Sequence, residues 1–201
     1  MKTAAAESMD EALVLERLKA GDKDAFASWV LTHQRGIYGY CLRLTGSTED
    51  AEDLTQEVFI RAYRGIHRFR QQSQLSTWLY QIAHNACVDY LRRVKKAKVV
   101  SIQAHEEERP GQAMVSDTQP LPEQRAVQRE NIDALKECLQ ALSRSHRAVT
   151  VLRHMRHLSY QEIAAVMKLP LGTVKSHICR ARQHLRDCMT GKGVPLGKEV
   201  G

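Results

Sequence analysis

The chain has 201 residues, 43% of them hydrophobic and only 5% aromatic, which is enough for one medium core or two small ones. Helix-favouring Ala, Leu, Glu, Gln, Lys and Arg are common and alternating β-branched runs are missing, so an almost all-α protein is expected; no apolar run approaches ~18 residues, which argues against direct membrane insertion. The net charge of +7 comes in alternating blocks: residues 61–98 carry 9 Lys/Arg against one Asp/Glu and residues 144–192 carry 10 against 2, whereas 1–60 and 99–143 are net acidic. Two basic blocks of that density, each on a predicted helical unit, point to nucleic acid as a partner.

The first residues, MKTAAAESMDEALVL, have no apolar centre and turn acidic at once, so they do not read as a secretory signal. GDKDAFASWVLTH (21–33) offers Asp22 as a helix cap, with Phe26, Trp29 and Val30 on one face. TGSTEDAEDLTQEVFIRAYRGI (45–66) opens with Ser47 and Thr48 followed by carboxylates. Hydroxyls accept free N–H groups and acids oppose the dipole at a helix start. Leu54, Val58 and Ala62 then repeat at helical spacing. QLSTWLYQIAHNACVDYLRRVKK (74–96) is a third helix with two stripes. Leu75, Leu79, Ile82, Ala86 and Tyr90 form a core stripe. Trp78, Gln81, Asn85, Asp89 and Arg92 form an adjacent one, mixing an aromatic, amides and a cation. Such a set can stack on and hydrogen-bond with unpaired bases.

Residues 97–124 lose this periodicity and hold three of the five prolines, so they read as linker or loop. Helices over 125–143 and 145–157 follow, joined near SRSH. HLSYQEIAAVMKLPLGTVKSHICRARQHLR (157–186) then reads as two short helices with a tight turn. Ser159 and Glu162 have capping-box spacing. Ile163, Ala164 and Met167 supply an inner face, and Pro170 stops the first helix. Gly172 and Thr173 open the second, with Val174, Ile178 and Leu185 facing inward. Lys175, Ser176, Cys179, Arg180 and Arg182 stay outside or at the edge, as a helix entering the major groove requires. The final residues, GKGVPLGKEVG, are expected to be disordered.

Cys41, Cys87, Cys138, Cys179 and Cys188 include no C-x-x-C pair and are odd in number, which fits a reduced cytoplasmic protein with mostly buried thiols. His84 with Cys87, and His177 with Cys179, lack third and fourth ligands nearby, so no metal or other cofactor is expected. The carboxylates of 49–57 are explained by capping. A small nuclease or DNA-modifying enzyme would need a convergent acidic or metal cluster that the sequence does not offer.

The helix-turn-helix alone resembles both sigma factor region 4 and the output domain of LuxR-type response regulators. DAEDLTQEVFIRAYRGIHRF (50–69) followed by STWLYQIAHNACVDYLRR (76–93) closely resembles region 2 of sigma-70 family factors, whereas a response regulator would need strands in this half. The pair, in this order, is similar to the short extracytoplasmic-function (ECF) type, which keeps only regions 2 and 4. The resemblance implies an all-α chain with region 2 at 9–95, a linker at 96–127, region 4 at 128–190 and a disordered tail at 191–201. It implies a cytoplasmic, non-catalytic transcription initiation subunit that directs core RNA polymerase to −10/−35 promoters. Stress or envelope-signal control by an anti-sigma factor, with tethering at the inner membrane through it, is part of the same implication. Asp53, Gln56, Glu57, Phe59 and Arg61 would contact the β′ clamp helices, and the polymerase β flap is a further partner. Trp78, Gln81, Asn85, Asp89, Arg92 and Arg93 would serve the −10 element, where a flipped base is captured. Arg92, Arg93, Lys95, Lys96 and Lys98 would hold phosphates. Thr173, Lys175, Ser176, Cys179, Arg180 and Arg182 would serve the −35 element. Cys179 departs from the family pattern, in which a bulkier residue stands. The acidic stretch 99–130 would run through polymerase channels towards the RNA exit path.

Overall fold

A computed structural model describes the backbone of residues 2–101 and 122–194 and the side chains of 11–97 and 130–194. Every element among the described residues is helical. In chain order they are α1 (Lys2–Lys19), α2 (Lys23–Thr45), α3 (Thr48–Gly65), a 3₁₀ turn (Ile66–Arg68), α4 (Leu75–Ser101), α5 (Pro122–Ala141), α6 (Arg144–Met155), α7 (Tyr160–Met167) and α8 (Leu171–Gly191). Two compact units result: one holds α1 to α4, the other holds α5, α6, α8 and the start of α7.

Local chemistry sets the helix starts. Asp22 accepts the backbone N–H groups of Asp24 and Ala25, each at 3.0 Å, and Ser47 accepts that of Asp50 at 3.2 Å. Each side chain replaces water on an N–H that the first helical turn leaves without an intrahelical partner. Between them, Gly46 closes α2 in the left-handed conformation, φ +79°, and its N–H bonds to Leu42 O, a position that favours glycine. The start of α4 is capped from elsewhere: the Glu11 carboxylate on α1 accepts the Leu75 N–H. That cap comes from 64 residues away and ties α1 onto the first unit.

The first core is an α2–α3–α4 layer. Ile37, Tyr40, Cys41 and Leu44 of α2 meet Ala51, Leu54, Val58 and Ala62 of α3 and Leu75, Leu79, Ala83, Ala86 and Cys87 of α4, all buried. The alanines let helix axes approach closely, and each buried leucine or isoleucine contributes about 2 kcal/mol. Phe59 belongs to this core rather than to a docking surface. It is 8% exposed and meets Trp29 edge-on at 6.0 Å. In α4 the buried stripe is broader than the apolar spacing suggests. Ala83 and Cys87 fill it, whereas Ile82 and Tyr90 are only half-buried.

The second core joins Cys138, Leu139 and Leu142 at the end of α5 to Val149, Val151 and Leu152 of α6 and Val174, Ile178, Ala181 and Met189 of α8. The buried Arg147 works at the α5–α6 turn. Its guanidinium donates to Gln140 Oε1 at 2.6 Å, to the Gln140 carbonyl and to the Leu142 carbonyl at 3.2 Å. It thereby satisfies carbonyls that the end of α5 leaves open.

Two sequence expectations are corrected here. Helix α4 runs on through Ser101 and α5 begins at Pro122, so helix continues past both edges of the stretch read as linker. Lys95, Lys96 and Ala97 are exposed, and a helix without a buried stripe has no apolar periodicity to read. Residues 102–121 of that stretch, and 195–201 of the tail, lie outside the described residues, while 191–194 complete and cap α8. The cysteines are not all thiols. Cys138 and Cys188 are joined by a disulfide, while Cys41 and Cys87 are buried and unbonded and Cys179 is exposed.

His84 is a core residue. It is 9% exposed, and Tyr40 Oη lies 2.8 Å from its Nδ1, a buried hydrogen bond. Burial lowers its pKa from 6.5 to about 4. Above pH 6.5 the ring is neutral in both folded and unfolded chains and the full stability is present. As pH falls towards 4, the unfolded chain binds a proton that the folded chain refuses, and about 3 kcal/mol is lost. Denaturant unfolding of the first unit should therefore weaken between pH 6.5 and 4, and His84→Gln should remove that share of the slope. An identical slope in the variant would contradict the assignment.

Candidate nucleic-acid interfaces

Burial of one stripe of α4 turns its neighbour to the surface. Trp78, Gln81 and Asn85 are half-buried on that neighbouring face. The Trp78 ring leans on the buried Phe69 at 5.1 Å with 40° between planes, which holds the indole at the surface. A pocket of about 320 Å³ opens beside it, lined by Arg61, Gly65, Arg68, Trp78, Ile82 and Asn85. A Cβ built at Gly65 would come within 3.3 Å of Trp78 Cζ2, so glycine there lets the ring lie against the end of α3. The pocket combines an aromatic edge, an amide and two guanidinium groups, the groups that stack on and hydrogen-bond with a single base. Its volume is at the lower end for a small-ligand site.

The remaining −10 candidates lie one or more turns further along α4. Asp89 accepts from Arg92 at 2.6 Å, an exposed ion pair that adds little stability and leaves the guanidinium at the surface. Arg93, Lys95 and Lys96 are exposed and extend the positive surface, while the side chain of Lys98 lies outside the described residues. Arg68 and Gly65 share the pocket without any signal in the sequence. They come from the end of α3 and its 3₁₀ turn, and no periodicity links them to α4.

On α3, Asp53 and Gln56 are exposed, and Glu57 and Arg61 pair at 2.6 Å, one turn apart. Ile60 and Tyr63 lie on the same outer side, 50% and 48% exposed. They put an apolar centre inside a polar rim. Neither lies on the Leu54–Val58–Ala62 stripe, so the apolar spacing of α3 does not point to them.

In the second unit the helix-turn-helix forms as its spacing predicts. Ser159 Oγ accepts the Glu162 N–H at 3.2 Å, and Glu162 accepts the Ser159 N–H at 2.8 Å, a complete capping box. Helix α7 ends with Lys168 in the left-handed region, φ +53°, and Pro170 stands directly before α8. On α7 the fully buried residues are Ile163 and Val166; Ala164 and Met167 are half-buried. Arg153 lies 5.0 Å over the Tyr160 ring and donates to the Leu158 carbonyl at 3.0 Å, bracing α6 against the start of α7.

On α8, Val174, Ile178 and Ala181 form the floor and Leu185 is half-buried. Lys175, Ser176, Cys179, Arg180 and Arg182 are exposed, and Thr173 is half-exposed at the N-terminal turn. Free N–H groups of that first turn and the helix dipole favour phosphate there. His146 of α6 meets His177 edge-on at 5.2 Å and His184 at 6.0 Å. Burial, then His177, His184 and Arg180, lower the His146 pKa.

Comparison with known proteins decides between the two families that share this helix-turn-helix. Residues 29–97 match the family model Sigma-70 region 2, and residues 132–185 match Sigma-70, region 4. The chain is 37% identical over 175 residues to the ECF RNA polymerase sigma factor SigW of Bacillus subtilis, covering 86% of this chain and 92% of the relative. It is also 39% identical over 182 residues to the RNA polymerase sigma-H factor of Pseudomonas aeruginosa, covering 88% and 92%. The chain belongs to the ECF sigma factors.

Solved structures share its fold. The sigma factor RpoE of Bartonella quintana, solved in complex with the anti-sigma factor NepR, aligns with TM-score 0.66 at 23% identity over 82% of this chain and 96% of that one. CnrH, solved in complex with the cytosolic domain of CnrY, aligns with TM-score 0.64 at 20% identity over 90% and 97%. As an ECF sigma factor the protein is a non-catalytic initiation subunit of RNA polymerase, and its partners are the polymerase and promoter DNA. No helix among the described residues is long and apolar enough to cross a membrane.

The capping box is the local feature that starts the DNA-facing motif. Ser159→Ala should lower the unfolding free energy of the second unit by about 1 kcal/mol, read by thermal or denaturant unfolding. An unchanged stability would mean that α7 does not depend on this cap.

Proposed function

We propose that this sigma factor grips a promoter at two places while docked on core RNA polymerase. The exposed side of α3, with Asp53, Gln56, Glu57 and Arg61 around Ile60 and Tyr63, is the surface offered to the β′ clamp helices, and the second unit meets the β flap. The pocket beside Trp78 and Asn85 takes an unstacked base of the −10 element. Arg92, Arg93, Lys95 and Lys96 hold the neighbouring phosphates. The N-terminal half of α8 enters the −35 major groove with Thr173, Lys175, Ser176, Arg180 and Arg182 towards the DNA. Cys179 lies among them with a small side chain, so base choice there depends on its flanking cations. The observation that carries this reading is the aromatic–amide–guanidinium pocket on the surface of α4. A merely solvated helix face needs no such cavity.

Control by an anti-sigma factor, in a stress or envelope response, is part of the same reading. The sigma factor RpoE, which shares this fold, was solved bound to the anti-sigma factor NepR, and CnrH was solved bound to the cytosolic domain of CnrY. A partner covering α3 and α8 would hide both working surfaces at once.

Two variants separate these roles. Arg180→Ala should lower −35-dependent transcription roughly tenfold, the effect of losing about 1–3 kcal/mol at one base or phosphate contact, while binding to core polymerase is unchanged. Loss of polymerase binding in that variant would sink the assignment. Ile60→Asp should do the converse. An acid at the centre of an apolar contact costs ≥2 kcal/mol at a hot spot, so polymerase binding should fall by more than tenfold with the helix content intact. Normal polymerase affinity would remove α3 from the docking surface.

A further inference from the structure

The chain brings two pairs of cysteines together, and their surroundings differ. Cys41 and Cys87 lie in the centre of the first core, both fully buried, with Sγ atoms 3.6 Å apart. Their mutual hydrogen bond and then burial push the Cys87 thiol far above its ordinary value. With no thiolate and no access, that pair is inert. Cys138 and Cys188 are placed otherwise. They join the end of α5 to the last turns of α8 across 50 residues of sequence. Cys138 is buried, but Cys188 is half-buried at the rim, one turn from the end of α8, where a small thiol or disulfide can reach its sulfur.

We propose that Cys138–Cys188 is a reversible thiol–disulfide clasp that sets how firmly the −35-reading helix is fastened to the rest of its unit. The proposal rests on the functional reading above in one respect: a polymerase subunit works in a reducing compartment, where a permanent disulfide is out of place and a responsive one is not. Closure consumes a small-molecule disulfide such as oxidised glutathione. The Cys188 thiolate attacks one of its sulfurs, a mixed disulfide forms and one thiolate leaves. The Cys138 thiolate then attacks the Cys188 sulfur and expels the second. The two protons lost by the cysteines end on the two released thiols, so one disulfide is reduced as one is formed. Opening is the reverse, driven by excess thiol.

The fold keeps the pair in register when the clasp is open. Met189 of α8 is buried in the core beside the pair and does most of this; the exposed Lys192–Glu137 ion pair across the same two helix ends adds little. Reduction therefore loosens α5 from α8 without separating them. The N-terminal half of α8 keeps its own floor of Val174, Ile178 and Ala181. Opening thus acts on the stability of the unit before it acts on the shape of the reading surface. Closing a loop of this length restricts the unfolded chain, which raises the unfolding temperature of a small domain by on the order of 10 °C.

The test uses the full chain carrying Cys179→Ser, which removes the exposed third thiol. It is equilibrated in glutathione buffers of graded ratio and then quenched with an alkylating agent. Peptide mass spectrometry reads the state of each cysteine, and thermal unfolding is followed on the same samples. The expected result is a single reversible two-electron transition confined to Cys138 and Cys188, with Cys41 and Cys87 unchanged. The second unit should melt on the order of 10 °C higher when oxidised, and the shift should vanish in Cys138→Ser and in Cys188→Ser. Three results would overturn the proposal: a pair that stays bonded in excess dithiothreitol, a pair that never bonds, or a redox-dependent melting shift that survives both serine variants. If a serine variant does not fold, the alkylation titration of the parent decides alone. Neither readout contains polymerase or DNA, so the clasp can fail while the sigma-factor reading stands. A −35 binding assay on the two forms in the polymerase complex then measures what the clasp does to promoter affinity.

Discussion

Burial of the inner stripe of α4 is the constraint on which the first unit depends. Leu75, Leu79, Ala83, Ala86 and Cys87 must face α2 and α3, and with 3.6 residues per turn that choice determines where every other side chain of the helix points. Trp78, Gln81 and Asn85 have no freedom to turn inward, because small alanines beside them let the helices close and leave no room. The Glu11 cap on the Leu75 N–H and the Tyr40–His84 hydrogen bond fix the helix at its start and its middle. A base-sized pocket on an otherwise ordinary three-helix core is the consequence. Its rigidity is inherited from apolar packing rather than from the polar residues that line it.

The second unit solves a different problem with the same means. Helix α8, proposed to enter a groove, exposes most of its circumference, so little of it is left to hold it in place. Val174, Ile178 and Ala181 supply that floor, and Met189 anchors the far end. Phosphate contacts give most of the affinity in such an interface and little of the choice. Spreading Lys175, Arg180 and Arg182 over one small helix therefore favours weak, salt-sensitive binding. That suits a subunit that works as part of a larger enzyme.

Much of this was legible in the residues. The capping box at Ser159 and Glu162, the Asp22 and Ser47 caps and the α8 floor residues Val174 and Ile178 are short-range features, and short-range features survive in sequence. What was lost depended on contacts between distant segments. Phe59 entered the docking set through the family resemblance alone, yet its ring meets that of Trp29 from another helix. Ile82 fell on an apolar spacing but lines a pocket with Arg68, from a turn fourteen residues earlier. Ile60 and Tyr63 fall off the Leu54–Val58–Ala62 stripe, and spacing alone cannot say whether such an apolar residue is kept for a partner. The Cys138–Cys188 bond joins positions 50 residues apart, and cysteine arithmetic on an odd set of five could not choose a pair.

The central claim is that neither grip reads a promoter by itself and that the polymerase unites them. Promoter binding by the purified chain, measured at fixed salt with and without core RNA polymerase, tests it most directly. The free chain should bind promoter and unrelated DNA about equally and weakly, and adding core polymerase should make binding both tight and sequence-specific. Tight, sequence-specific binding by the free chain, unchanged by polymerase, would contradict the account and make the helix-turn-helix a self-sufficient operator reader.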